Sequence, residues 1–156
     1  MVDGVTMLKK IAAVLLFLSG VAGAAPNELG VYRDKNFNIL ATDGRYSCNI
    51  YPYSERIKDK TLDSLPVIGE STIAIESDKH SDSKRMFVDF HNGIKIVTPF
   101  MLNLRKGSTE SVYTMMTRDD IYILAIDEPV GVVAIIKREG KGDETSVTVA
   151  KCTLQN

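Results

Sequence analysis

The side chains best suited to chemistry lie in one polar stretch near the middle of the chain. Asp78, His80 and Ser81 are the residue types of a hydrolase triad, and they fall within four positions. A hydrolase also needs a strained turn, oxyanion donors and a buried carboxylate, which a solvated loop does not supply. We therefore expect Ser77–Arg85 to form an exposed loop that contacts a partner. Its candidate contact residues are Asp78, Lys79, His80 and Asp82.

Other polar residues lack the spacing of an active site. The acidic pairs Asp119-Asp120 and Asp127-Glu128 fall at the ends of expected strands, where they form turns rather than a carboxylate pair across a cleft or a calcium loop. His91 lies in an expected hairpin turn. The chain has no glycine-rich phosphate loop, HExxH motif or CxxC motif. We expect no enzyme activity, no metal and no cofactor.

Two tyrosines form a second group of candidate contact residues. Tyr51 and Tyr53 flank Pro52 and alternate away from the face of the strand that carries Cys48. Rigid aromatic side chains bind partners at a modest entropic cost. The alternative is that both rings cover a second face of the sheet.

The first 24 residues have the pattern of a secretory signal peptide. Lys9 and Lys10 precede the apolar run Ile11–Leu18, and Ala22-Gly23-Ala24 is a cleavage signal. The run is shorter than the roughly 20 residues that span a bilayer. We expect cleavage after Ala24 and a periplasmic or secreted product.

The expected product, residues 25–156, has the size of one domain. Loss of Lys9, Lys10 and Asp3 from 19 basic and 20 acidic residues leaves 17 against 19. This balance, without a cluster of Lys or Arg, argues against nucleic-acid binding and against a polybasic membrane surface. No second apolar run is long enough to span a membrane.

The expected product contains two cysteines, Cys48 and Cys152. In an exported protein, a lone pair of cysteines usually forms a disulfide. This disulfide would join an early strand to the last strand. Two unrelated buried thiols are the alternative.

Apolar and polar residues alternate with period two in most of the expected product, which predicts strands. A segment at Ser54–Leu65 fits either a helix capped by Ser54 or a polar loop. About eight short strands with hairpin spacing predict a single all-β domain, an antiparallel barrel or sandwich. The expected strands are Asn36–Ala41, Arg45–Tyr51, Val67–Ile75, the hairpin Met86–Thr98, Phe100–Leu104, Ser111–Thr117, Ile121–Ile126, Val130–Arg138 and Thr145–Leu154.

The hairpin Met86–Thr98 allows a prediction of register. A three-residue loop, His91-Asn92-Gly93 with Gly93 left-handed, pairs Phe90 with Ile94 and places them on the apolar face. Asp89 then lies opposite Lys95 on the other face. A two-residue Asn92-Gly93 turn would instead place Lys95 on the same face as the apolar residues.

Tyr46-Ser47-Cys48 and Ala150-Lys151-Cys152 resemble the periplasmic inhibitors of C-type lysozyme. The resemblance implies a small β-barrel clasped by a disulfide, with a loop that enters the lysozyme cleft. This chain is longer than the family's usual domain and lacks its Ser-Gly-rich inhibitory strand, so no inhibitory residue is carried over.

These features predict an exported binding protein that inhibits a protein partner, such as a lysozyme or an envelope-directed toxin. The alternative is a calycin-like carrier whose barrel holds a small apolar ligand. A carrier needs a lined void, whereas an inhibitor is expected to have a filled interior.

Overall fold

The structure is a computed structural model that describes residues 25–52, 64–139 and 145–156. The expected signal peptide, Tyr53 and nearly all of the segment Ser54–Leu65 lie outside the described residues. The described part forms eleven β-strands. They are β1 (Val31–Arg33), β2 (Ile39–Ala41), β3 (Gly44–Pro52), β4 (Gly69–Ser77), β5 (Ser83–Asp89), β6 (Lys95–Val97), β7 (Met101–Lys106), β8 (Glu110–Met116), β9 (Asp120–Asp127), β10 (Gly131–Glu139) and β11 (Thr145–Leu154).

Eight antiparallel strands close into a barrel. Their order around the ring is β3, β11, β10, β9, β8, β7, β5 and β4, and β4 pairs with β3 again. The short strand β6 also pairs with β5, beside β7. The prediction of an antiparallel all-β domain is confirmed, and the ring decides between barrel and sandwich.

Side chains on the inner face of the barrel form one core cluster, as alternation along each strand predicts. Large residues from strands on all sides of the ring meet there, each exposed by 1% or less. They include Tyr46, Ile73, Met86, Met101, Tyr113, Leu124, Ile126 and Val132. The middle of the barrel is therefore filled by the protein's own side chains.

The two cysteines form the predicted disulfide. Cys48 on β3 lies directly opposite Cys152 on β11, both side chains are buried, and the S–S distance is 2.01 Å. The bond spans a sequence separation of 104 residues. It ties an early strand of the ring to the last one.

A small hairpin of β1 and β2 covers one end of the barrel. Val31, Ile39 and Ala41 join the core cluster, and the Ile39 N–H donates to the Gly107 carbonyl at 2.9 Å. We call this the capped end. The β4–β5, β7–β8 and β9–β10 turns lie at this end, and the β5–β6 and β8–β9 turns lie at the opposite end.

The prediction of a strand over Asn36–Ala41 is wrong in its first half. The Asp34 side chain accepts the N–H groups of Asn36 and Asn38 at 2.8 and 2.9 Å, which holds the chain in a turn. Phe37 has a φ of +62° and is 71% exposed, although a strand over Asn36–Ala41 would place it on the same face as Ile39 and Ala41. The local hydrogen bonds of the Asp side chain thus override the alternation of residue types.

The register predicted for the β5–β6 hairpin is confirmed. Asp89 pairs with Lys95, Gly93 is left-handed with a φ of +89°, and the Phe90 N–H donates to the Ile94 carbonyl at 3.1 Å. The prediction that Ile94 is covered by the core is wrong. Ile94 is 51% exposed because the hairpin extends beyond the core at the uncapped end of the barrel.

Within the described part of the chain, no helix is long and apolar enough to cross a membrane.

Candidate functional site

The β4–β5 turn carries the predicted contact residues, but it is shorter than the expected loop Ser77–Arg85. Ser77 ends β4 and Ser83 begins β5, so the turn contains only residues 78–82. The Asp78 N–H donates to the Ser83 carbonyl at 2.9 Å, and Ser81 Oγ donates to Asp78 Oδ2 at 2.7 Å. These bonds give the turn a defined conformation. Ser81 bonds to the carboxylate and not to His80, so the three residues do not form a triad.

Hydrogen bonds to the Asp78 carboxylate also favour its charged form. The Ser81 hydroxyl and the His80 N–H both donate to this carboxylate, and they lower its pKa. Asp78 therefore holds the turn. Lys79, His80 and Asp82 of the predicted set are exposed.

Asp82 is fixed to the neighbouring strands rather than free to contact a partner. Its carboxylate accepts from Asn103 at 3.1 Å, from Lys106 at 3.0 Å and from the Tyr113 hydroxyl at 3.2 Å. Partial burial alone would raise the pKa of Asp82, but these hydrogen bonds and the charge of Lys106 outweigh it and lower the pKa. Asp82 is therefore a positioning residue that links the turn to β7 and β8.

A buried lysine supports the same turn from inside the barrel. Lys84 is almost fully buried on the inner face of β5, where its Nζ bonds to Ser77 Oγ at 2.8 Å and to Asp43 at 3.2 Å. Asp43 also accepts the N–H and the hydroxyl of Ser77. Burial raises the pKa of Asp43, but the bonds from Ser77 and the charge of Lys84 lower it further than burial raises it. The ends of β4 and β5 are thus locked together below the turn.

Exposed leucines lie on β7, next to the turn that Asp82 ties to this strand. Leu102 is 61% exposed and Leu104 is 72% exposed. A β-bulge between Asn103 and Arg105 interrupts the pairing of β7 with β8 at this point. Bulges redirect side chains and are frequent near binding sites. The polar turn 78–82 and the two leucines therefore occupy neighbouring elements at one edge of the barrel.

The expectation that Tyr51 is exposed is wrong. Tyr51 is 6% exposed, on the outer face of β3 opposite the buried Val149 of β11. It covers a second face of the sheet, which is the alternative that the sequence left open. Tyr53 lies outside the described residues.

The sequence did not predict an outer groove of about 440 Å³ across β3, β4, β5 and β6. The small side chains Thr72 and Ala74 form its floor. The side chains of two cross-strand rows line it, Arg45–Ala74–Phe87–Val97 and Thr72–Asp89–Lys95.

His91 closes one end of this groove, because its turn conformation carries the ring back over β4. His91 Nε2 and Thr72 Oγ1 are hydrogen-bonded at 2.7 Å. Asp89 accepts the backbone N–H of His91 at 2.9 Å, so it fixes the turn. Nucleophilic catalysis by a hydroxyl–imidazole pair needs a carboxylate that orients the imidazole. Among the described residues, no carboxylate bonds to the His91 ring.

A second cavity, of about 220 Å³, lies at the uncapped end of the barrel. Side chains of the β5–β6 hairpin form one wall, and inner-face residues of β10 and β11 form the other. The described part of the chain brings together no group of three or more His, Cys, Asp or Glu side chains that could hold a metal ion.

Comparison of the chain with protein-family models, with curated proteins and with solved structures gave no match.

Proposed function

We propose that this is an exported binding protein that blocks a protein partner, such as a lysozyme or an envelope-directed toxin. The turn 78–82 carries this proposal. Hydrogen bonds of Asp78 and Asp82 hold the turn in place, while Lys79 and His80 point outward. A turn that is already ordered loses less conformational entropy on binding.

The neighbouring leucines supply the apolar part of such a surface. Leu102 and Leu104 are exposed on the strand to which Asp82 is tied. Protein interfaces combine an apolar centre with a polar rim, and exposed apolar groups often mark partner sites. Export is supported by the disulfide, since such bonds persist in oxidising compartments.

The filled interior favours this function over the alternative, a calycin-like carrier. Tyr46, Tyr113 and Leu124 occupy the middle of the barrel, where a carrier would hold its ligand. The cavity at the uncapped end is lined by residues near the strand ends and does not extend to Tyr46, Tyr113 or Leu124, so it is not a ligand chamber of that kind. Binding of a protein to the outside of the barrel needs no internal void.

The test is capture of a partner by the purified protein from an envelope extract, with identification by mass spectrometry. Inhibition of peptidoglycan hydrolysis by C-type lysozyme is measured in parallel. We expect Lys79→Ser/His80→Ser and Leu104→Ser each to weaken binding of the identified partner by about tenfold or more. Neither change should lower the melting temperature appreciably, because the three side chains are exposed.

Two matched controls lie away from this surface. Arg118→Ser removes an exposed cation at the opposite end of the barrel, and Ile68→Ser removes an exposed apolar side chain before β4. Both should bind the partner as the wild type does. If the Lys79/His80 and Leu104 variants also bind normally, the turn and the leucines are not the site. If no partner is captured and lysozyme is not inhibited, the proposed function is wrong.

A further inference from the structure

The cavity at the uncapped end of the barrel has the lining of a small-molecule site. We propose that it binds a compact apolar molecule that carries one carboxylate. This site is separate from the partner-binding surface, which lies at the capped end. It does not depend on the function proposed above.

The floor and one wall of the cavity are apolar. Ile96 and Ile136 are buried, Phe90 is half-buried, and Ile94 is 51% exposed at the rim. A β-branched side chain exposed beside a void is apolar surface that a bound ligand removes from water. The mouths of β-barrels are common locations for small-molecule sites for this reason.

The opposite wall carries polar groups on the inner face of the barrel. Arg138 on β10 pairs with Ser146 on β11, and Thr148 lies opposite Ile136. Ser146 is exposed and Thr148 is half-buried, so both hydroxyls are accessible from the cavity. Inner-face positions are apolar in most of this barrel, so two hydroxyls and a guanidinium on this wall give the cavity a side that can bind a polar ligand group.

The positive charge of Arg138 favours a negatively charged ligand group. It is the one ionisable side chain among the described residues that line the cavity. Its Nε lies 3.5 Å from Asp120, and we find no partner for its two terminal nitrogens in the described part of the chain. A guanidinium binds a carboxylate through a pair of parallel N–H groups, and the terminal nitrogens are available for this contact.

The volume limits the size of the ligand. An apolar cavity of roughly 150 Å³ holds benzene, so about 220 Å³ accommodates roughly ten non-hydrogen atoms. The floor cannot deepen without displacing core side chains. Toward the capped end from Ile136, the next inner-face residues are Ala134 and, opposite it on β9, Leu124, and both are buried. A long acyl chain is therefore excluded.

The experiment is a titration of the ¹⁵N-labelled protein followed by NMR, with three probes. Phenylacetate has the proposed size and charge, phenylacetamide has the size without the charge, and laurate has the charge on a long chain. We expect phenylacetate to shift the signals of residues around Phe90, Ile136 and Thr148. It should bind about tenfold more tightly than phenylacetamide, the scale of one charge-assisted contact. Laurate should bind more weakly than phenylacetate.

Variants assign the two parts of the site. Arg138→Gln should reduce phenylacetate affinity to that of phenylacetamide and leave phenylacetamide binding unchanged. Lys137→Gln is the matched control, because it removes the adjacent cation on the outer face of the same strand. Thr148→Phe should fill the cavity and abolish binding of both compounds. Its spectrum must retain native dispersion, and Ser146→Phe is the second filling variant if it does not.

Three results would overturn the proposal. One is the absence of shifts around the cavity with phenylacetate and phenylacetamide at millimolar concentration. Another is equal loss of phenylacetate affinity in the Lys137 and Arg138 variants, which would indicate a general charge effect. The third is tighter binding of laurate than of phenylacetate, because the filled barrel has no room for its chain.

Discussion

Breaking the bond between Cys48 and Cys152 is expected to remove a large part of the free energy of unfolding. The bond closes a loop of 104 residues. In the chain-entropy treatment, a loop of this length restricts the unfolded chain by about 4.7 kcal/mol at 25 °C. Domains of this size unfold at a cost of about 5–15 kcal/mol, so the loss is about a third of the total or more.

The assay is urea unfolding of the oxidised protein against the Cys48→Ala/Cys152→Ala double variant. With a urea dependence of about 2 kcal/mol per M, the midpoint should fall by about 2–3 M. Reduced wild-type protein is the control, because it loses the cross-link but keeps both buried sulfur atoms. The difference between the double variant and the reduced protein measures the lost packing of the side chains.

A midpoint that falls by less than about 0.5 M on reduction would refute the entropic reasoning. It would mean that the unfolded chain is already compact enough for the link to restrict little. Thiol titration of unfolded, unreduced protein checks the bond itself and should detect no free thiol.

Three further predictions concern single side chains. In urea unfolding, Phe90→Ala should lower the free energy of unfolding by about 2–3 kcal/mol, because Phe90 is partly buried and packs against the core. Lys95→Ala should lower it by less than about 0.5 kcal/mol, because Lys95 faces water. The reverse order would contradict the observed register. Ser71→Ala should raise the melting temperature, because its buried hydroxyl has no hydrogen-bond partner within the described residues; a large decrease would show that the hydroxyl has a partner. The fold lowers the pKa of Asp43, so its stabilising contribution is present above the unfolded pKa of about 4 and is lost as the pH falls below it. Asp43→Asn should therefore reduce the loss of stability between about pH 5 and pH 2, and an unchanged pH dependence would show that its contacts with Ser77 and Lys84 contribute nothing.

The strands were predictable where one face of the sheet is buried. The register of the β5–β6 hairpin followed from the apolar face and the three-residue loop His91-Asn92-Gly93, because a shift by one residue would have moved Lys95 to the apolar face. The disulfide followed from the presence of two cysteines in a product that is expected to be exported. The register rests on constraints that act locally along the chain, whereas the disulfide rests on the cysteine count and the expected compartment.

The errors arose where side-chain contacts override the pattern of residue types. Phe37 and Ile39 are two positions apart, as residues on one face of a strand are. Hydrogen bonds to the Asp34 carboxylate instead hold the chain around Phe37 in a turn. Tyr51 alternates to the outer face, but it is buried on that face beside Val149. Alternation of apolar and polar residues predicts on which face of the sheet a side chain lies. It does not predict whether other residues cover that face.

The candidate sites were predictable only in part. The polar residues 78–82 could be found from composition. Which of their side chains hold the turn in place and which extend into solvent depends on contacts with β7 and β8. The outer groove and the end cavity are formed by residues from three or more strands that are distant in sequence. His91 and Thr72, for example, are 19 residues apart and bond only because the β5–β6 turn folds back over β4.

The position of β11 between β3 and β10 has a consequence for the order of folding. β10 follows β9 and β8 through hairpins, so this meander can form early from contacts that are close in sequence. β11 joins this meander early as well, because it pairs with β10 between residues as close in sequence as Glu139 and Thr145. The other edge of β11 and the edge of β3, ten and nine residues long, stay unpaired until these two strands meet and close the barrel. During that interval both edges can pair with another chain, which favours association. Aggregation during refolding should therefore depend on how fast β11 pairs with β3, and oxidation of Cys48 with Cys152 makes that pairing difficult to reverse.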